Sequence, residues 1–377
     1  MTEWRECKLK DVCKYERISI NPQKYKILQF VHYSFPAFDN NKTPEIQFGG
    51  QIKSSKYIVK KGYILYNKLN VRFKRIWNIN FETPENSICS SEFLPILATK
   101  CNQDYLYYFL CSDELTDTMA NSNTGTSGSH QRIDPNFLMK YDILLPPLPE
   151  QKAIAEVLSS LDDKIDLLTR QNKTLEDLAQ AYFRKWFIED ASDEWEVGKL
   201  GDYIEIHDSK RVPLSKIERE KMKSGTLYPY YGAATIMDYV NDYIFDGEYI
   251  LMGEDGTVET EDGYPVLQYA TGKFWVNNHA HVLTAKSPFN NYFIWFFLKQ
   301  CNISGIVTGA VQPKINQENL KNIDIPIPDL TLINSANQFF ANIFAKILNN
   351  LEQIKTFQKL RDTLLPKLIS GEIRLKM

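Results

Sequence analysis

The sequence predicts an α+β chain built twice, as a mixed α/β globular domain followed by a long amphipathic helix and then the same pair again. Three observations predict it. At 377 residues the chain exceeds what one compact core usually holds. A middle segment matches an end segment without a gap: Asp142 falls on Asp324, Pro146 on Pro328, Leu148 on Leu330, Lys164-Ile165 on Lys346-Ile347 and Lys173-Thr174 on Lys355-Thr356. Finally, two stretches space their apolar residues alternately four and three apart, over far more than the roughly 11–12 residues of an average helix.

The bulk composition fits a protein that works in water. Hydrophobic residues make up 43% and aromatic residues 13%, and no apolar run is long enough for a membrane span. The start, Met1-Thr2-Glu3-Trp4-Arg5-Glu6, lacks the apolar core of a signal peptide. Cys7, Cys13, Cys89, Cys101, Cys111 and Cys301 show no CxxC pairing and read as reduced thiols of a cytoplasmic protein. The net charge of −3 disfavours a simple nucleic-acid coat, so the distribution of charge has to carry any such reading.

In the first globular domain (1–149) that distribution is uneven. Gln47 to Phe81 contains no acid, while Lys53, Lys56, Lys68, Arg72 and Arg75 are interleaved with Tyr57, Tyr63, Tyr66, Phe73 and Trp77. A basic, aromatic-laced stretch suits phosphate contact, and its bland reading is a solvated face. A second candidate is Gly128-Ser129-His130-Gln131-Arg132, whose His130, Gln131 and Arg132 could reach DNA; the amide of Gln131 is suited to bidentate readout of adenine. The bland reading there is a structural turn.

The proline-rich Leu145-Pro146-Pro147-Leu148-Pro149 stops any ladder and opens the central helix, taken as 150–188. Its seam runs through Ile154, Leu158, Leu161, Ile165, Leu168, Asn172 and Leu175 to Tyr182 and Trp186. A lone Asn in such a seam fixes register at some cost in stability. The alternative is an ordinary core helix in each domain, against which stand the length and narrowness of the seam.

The second globular domain (189–330) echoes the first at scattered anchors. Tyr292-Phe293-Ile294-Trp295-Phe296-Phe297 resembles Tyr105-Leu106-Tyr107-Tyr108-Phe109-Leu110, and the Gly309-to-Lys314 loop resembles the loop around Gln131. Its candidate DNA contacts are Lys210, Arg211, Gln312 and Lys314. The closing helix (331–377) repeats the seam at Ile343, Ile347, Ile354, Phe357 and Leu364; Asn350 and Arg361 interrupt it, and Pro366 is expected to kink or end it. The two helices are expected to pack on each other and hold the globular domains at a fixed distance.

No catalytic constellation emerges. There is no GxxxxGK[ST], no GxGxxG after a strand, and no Asn/Asp-Pro-Pro-aromatic tetrapeptide. His279-Ala280-His281 places two imidazoles on one face of a strand, but without a nearby Cys or acid in sequence it reads as a polar strand edge, and no metal is expected.

The segment from Leu144 through Pro146-Pro147-Leu148-Pro149-Glu150-Gln151 to Ala155, running into Leu161-Asp162-Asp163-Lys164-Ile165, resembles the central repeat of type I restriction-modification specificity subunits. Trp186-Phe187, Asn278-His279 and Leu364-Leu365-Pro366-Lys367-Leu368-Ile369-Ser370-Gly371-Glu372-Ile373 fit the same family, in order along the whole chain. One departure is the second leader, Ile325-Pro326-Ile327-Pro328-Asp329-Leu330, whose missing Glu-Gln pair is expected to weaken a helix cap. The resemblance implies two target-recognition domains separated by two antiparallel helices in a coiled coil with a pseudo-twofold internal repeat, each domain reading half of a split, asymmetric double-stranded DNA site. It further implies methyltransferase and translocase-nuclease partner subunits, which would carry S-adenosylmethionine, ATP and Mg, leaving this chain without catalysis or cofactor of its own. The competing readings are a stand-alone DNA-binding regulator and a nuclease whose site leaves no motif.

Overall fold

Two short antiparallel ladders close the two halves of the chain in the same way. The computed structural model describes residues 3–40, 42–122, 131–309 and 312–375. In it Arg5–Lys8 pairs with Asp142–Leu145, and Glu196–Lys199 pairs with Asp324–Ile327. Each ladder places a lysine opposite an aspartate: Lys8 Nζ lies 2.6 Å from Asp142 and Lys199 Nζ lies 2.5 Å from Asp324. Pro146 and Pro328 follow these strands and cannot donate to a further rung, so each chain segment turns away and a long helix starts two residues later, at Leu148 and at Leu330.

The chain divides into two compact units, residues 1–167 with 353–377, and residues 168–352. In the first unit, Cys13–Tyr15, Phe93–Ala98, Tyr63–Asn67 and Ile76–Asn78 form an antiparallel sheet in that order. A second sheet runs Ser19–Ile20, Lys56–Ile58, Ser87–Cys89, Gln29–Tyr33, Glu45–Phe48. Against the first sheet packs the helix Gln103–Leu110, capped by Asn102, whose side chain accepts from the Tyr105 N–H at 2.9 Å. Tyr105, Leu106, Phe109 and Leu110 join Leu9, Val12, Ile64 and Ile96 in a closed core.

The second unit repeats the scheme with a larger sheet, ordered Ile204–Ile206, Ala280–Ala285, Phe245–Gly253, Leu267–Val276, Tyr228–Tyr231, Ile236–Val240. Its helix Asn291–Gln300 is capped by Asn290, which accepts from the Phe293 N–H at 2.9 Å. Phe293, Ile294 and Phe296 are buried with Phe183, Phe187 and Phe340.

The central helix spans Leu148–Arg184 and closes in a π turn at Lys185–Glu189; the second spans Leu330–Ser370. Neither behaves as a body apart from the globular cores, as a strict helix-only spacer would. Ile154, Leu158 and Leu368 are buried in the first core, and Ile343 and Ile347 in the second, with Leu175 packed at its edge. Leu168 is also buried, whereas Leu161, Ile165, Ile354, Phe357 and Leu364 are only half-buried. The seam therefore doubles as core wall at its ends, and both readings of the helices hold in part. Near the end of the central helix the burial shifts by one residue, to Phe183 and Phe187, leaving Tyr182 exposed.

Within each unit the helix segments run antiparallel. In the first, Arg361 Nη1 donates to Asp162 at 2.7 Å, and the Tyr108 hydroxyl donates to the same carboxylate at 2.8 Å. In the second, the fully buried Asn350 donates to Asn172 Oδ1 at 2.8 Å, and Asn172 donates to the Ile347 carbonyl at 3.3 Å. Pro366 does not end its helix. The helix continues to Ser370 because Leu368 and Ile369 bury in the first core and offset the one lost backbone bond. Among the described residues no helix is long and apolar enough to cross a membrane.

Candidate nucleic-acid interface

In each unit the central strand of the sheet runs into a left-handed turn, and a later segment is stitched to that turn. In the first unit the strand Tyr63–Asn67 leads to Asn70, at φ 52°. Leu69 bridges to Arg132, the Asn70 N–H donates to the Gln131 carbonyl at 2.8 Å, and the Ile133 N–H donates to Lys68 at 3.0 Å. In the second the strand Phe245–Gly253 leads to Gly256, at φ 80°. Asp255 bridges to Lys314, the Gly256 N–H donates to Pro313 at 3.0 Å, and the Ile315 N–H donates to Glu254 at 2.9 Å. The two segments are held in the same way, with Arg132 matched by Lys314 and Gln131 by Pro313, so Gln312 lies one residue before the place of Gln131. Gly309 is required in the second: at φ 88°, a Cβ there would lie 2.4 Å from the Gln312 carbonyl oxygen.

The first turn is cationic. Arg72 is exposed and lies over the Phe73 ring at 5.1 Å, and Phe73 itself is 54% exposed. Arg75 sits over Phe73 at 5.1 Å and over Phe35 at 5.2 Å while forming a two-pronged pair with Asp39. Lys74, also left-handed at φ 46°, pairs with Asp113. Arg132 grips Glu92 through two bonds, of 3.0 and 2.7 Å. Burial and the positive charges of Arg17 and Arg132 push the Lys68 ammonium down in pKa, against the pull of Glu92.

Two of the expected contacts serve the fold instead. Lys56 is buried and donates to Ser54 Oγ at 2.6 Å, and burial pushes its ammonium down in pKa. Arg211 is enclosed by Asp208 at 3.4 Å, Glu254 at 2.6 Å and the Ala280 carbonyl at 2.6 Å. Lys53, Lys210, Gln312 and Lys314 are exposed; Lys314 lies 3.3 Å from Glu254. His130 lies outside the described residues.

The histidine pair also has acidic partners that sequence distance concealed. His279 pairs with Asp255, and the fully buried His281 bonds Asp208 at 2.6 Å and the Ile315 carbonyl at 2.9 Å. Burial would raise the Asp208 carboxyl, but bonds from His281 and the Val282 N–H, with Arg211 alongside, hold it below its ordinary value. Asp208, Glu254 and His281 could together offer ligands to a metal ion. The guanidinium of Arg211 already supplies the positive charge there, so the group reads as a brace for the Gln312 segment.

The sequence reading missed Asn70, Phe73, Glu92 and Asp208. Phe73 had a legible signal, an aromatic between two arginines in an acid-free stretch. Asp208 had little, because only Arg211 is near it in sequence and its hydrogen-bond partners His281 and Gln317 lie 73 and 109 residues away.

Each of the two units thus presents a loop stitched beside the end of its sheet. Residues 1–177 and 192–363 match the type I restriction modification DNA specificity domain. The chain belongs to that family. It is 28% identical over 312 residues to the MjaIX specificity subunit of Methanocaldococcus jannaschii, spanning 72% of this chain and 69% of the relative. A Haemophilus influenzae protein assigned as type I specificity subunit S.HindORF215P is 37% identical over 150 residues, spanning 40% of this chain and only 37% of the relative. The crystal structure of the type I system S subunit from M. genitalium shares the fold, with a TM-score of 0.60 at 15% identity over 99% of this chain and 96% of that one.

Proposed function

We propose that this chain is the non-catalytic DNA-recognition subunit of a type I restriction-modification complex, reading a bipartite, asymmetric double-stranded site in the cytoplasm. One unit reads each half-site, and the paired helices set the unread spacer. Methyltransferase subunits, which hold S-adenosylmethionine, and translocase-nuclease subunits, which use ATP and Mg, act where this chain directs them. The observation that carries the reading is the pair of Gln-bearing segments stitched in the same way to turns of opposite charge. That is what two readers with one scaffold and different specificities require.

In this reading Gln131, Arg132 and Lys68 face one half-site, and Gln312, Lys314 and Lys210 face the other, with Lys53, Arg72 and Arg75 nearer the phosphates. Methylome sequencing of cells carrying the complex, wild type or with Gln131→Ala or Gln312→Ala, tests it. Each substitution is expected to relax or abolish recognition of one half of the methylated motif only. Uniform weakening at both halves would make these residues backbone contacts, and an absence of split-motif methylation would favour a stand-alone regulator.

A further inference from the structure

We infer that Phe73 is a wedge that enters a base step of the bound DNA. The inference rests on the DNA-recognition reading above and adds to it a way of deforming the duplex. A half-exposed apolar ring is by itself ordinary on a protein surface, and what sets Phe73 apart is the backbone and the charges that hold it. Here the ring sits on a single short turn, Val71–Phe73, with left-handed residues on both sides, Asn70 at φ 52° and Lys74 at φ 46°. Neither is glycine, so the backbone bears strain to hold this shape, as is common where a loop serves recognition. Val71 is buried beneath it and anchors the turn, while the Asn70 N–H is bonded to the Gln131 segment.

The surroundings fit DNA and not an apolar protein pocket. Two guanidiniums lie over the ring at 5.1 Å each; Arg75 is tied to Asp39, whereas among the described residues Arg72 has no carboxylate partner and can swing off the ring to bare it. Arg72 is therefore available to a phosphate as the ring meets the bases. Apolar wedges flanked by cations unstack a step and kink the duplex, and sequence steps that unstack easily are then favoured without a hydrogen bond to them. The turn in the second unit has Gly256-Thr257-Val258, with no aromatic residue at the tip, so one wedge per chain follows.

The test uses the full complex and duplexes carrying the methylated motif, with 2-aminopurine moved step by step through both half-sites. Counting only steps away from the target bases, which the methyltransferase subunits themselves flip out of the stack, wild type and Phe73→Trp are expected to brighten one step in one half-site, and Phe73→Ala to brighten none. Phe73→Ala should weaken binding to the intact duplex on the order of tenfold, and by under about threefold when that step carries an abasic gap, because the unstacking is then already done. Specific wild-type binding with no brightened step, or Phe73→Ala binding as tightly as wild type, overturns the wedge alone. Loss of partner subunits from Phe73→Ala with unchanged DNA binding overturns it in favour of a protein contact. Failure of the wild-type complex to prefer its motif sinks the DNA-recognition reading, and the wedge with it.

Discussion

The turn after the central strand is stitched to a later segment in the same way in both units and is opposite in charge. In the first it is Leu69-Asn70-Val71-Arg72-Phe73-Lys74-Arg75, and its cations point outward or pair at the rim. In the second it is Glu254-Asp255-Gly256-Thr257-Val258-Glu259, and its carboxylates turn inward onto Arg211, His279 and Lys314. Both turns have a left-handed residue at the stitched position, Asn70 or Gly256, and a buried valine after it, Val71 or Val258, while the first alone adds a second left-handed residue, Lys74. What differs is whether the polar side chains hold the protein or are offered to something else. The comparison shows that in this fold the stitching of a turn and its side-chain chemistry vary separately.

The sharpest way to break the comparison is to remove one arginine from each turn's network. Arg211 is almost enclosed, its partners Asp208 and Glu254 nearly so. Arg211→Ala removes the guanidinium shared by two enclosed carboxylates, leaving Asp208 to His281 and the Val282 N–H and Glu254 to Lys314. Its expected cost is about 3 kcal/mol, the low end for a broken buried pair. Arg75→Ala removes a pair whose aspartate is half exposed, with an expected cost of about 1 kcal/mol, chiefly from the lost bidentate geometry and ring contacts. Denaturant unfolding with hydrogen exchange resolved by residue should localise the first loss to the second unit. Equal costs would mean that both networks are surface pairs and that the contrast drawn here is wrong.

The next test concerns the shared backbone. A Cβ added at Gly256 meets nothing within 4 Å, so any penalty there is conformational. Gly256→Val is expected to cost about 1–2 kcal/mol, Asn70→Val a similar amount, and Asn70→Gly the least of the three. Thermal unfolding of the three variants reads the order directly. If Asn70→Gly proved the most damaging, the side chain of Asn70 rather than its φ would be what the turn needs.

How much of this was legible in the sequence depended on whether spacing or space carried the signal. The repeat and the two long helices were legible because periodicity and ungapped register encode them, whereas the two aromatic runs were legible as matching segments and not as capped helices. So was the alignment of Asp142 with Asp324, although not that each would meet a lysine across a ladder, Lys8 and Lys199. The missing Glu-Gln pair in the second leader was expected to weaken a cap, and the structure corrects this. Asp329 Oδ1 accepts from the N–H groups of Thr331 and Leu332 at 2.9 and 3.0 Å. Asn337 stands in for Gln151: each side-chain oxygen accepts from the N–H of the asparagine that caps the aromatic helix, Asn290 at 3.3 Å and Asn102 at 2.8 Å. Asn337 lies one turn further along its helix than ungapped register predicts, so the replacement was invisible to alignment. Glu150 has no such substitute; buried, it holds Trp4 at 3.0 Å and Arg374 at 2.5 and 2.8 Å in the first unit only.

The smallest expected effect tests the same contrast inside the helix pair. The first unit joins its helix segments through a charged pair, Asp162 with Arg361, which Tyr108 completes. The second uses Asn350 and Asn172, and Asn350 Oδ1 is buried without a partner. Asn350→Leu would remove that orphaned oxygen and replace one neutral bond by apolar contact. Asn172, half-buried, keeps its bond to the Ile347 carbonyl and turns its own oxygen toward water. A net change within about 1 kcal/mol is expected, because a neutral hydrogen bond contributes about that much and the relieved oxygen offsets it. A loss above about 2 kcal/mol would show the asparagine pair to be a stabilising contact. A neutral result combined with looser preference for the spacer of the DNA site would show instead that the pair holds register. In that case the polar step in the seam is kept for the geometry of reading and not for the stability of the fold.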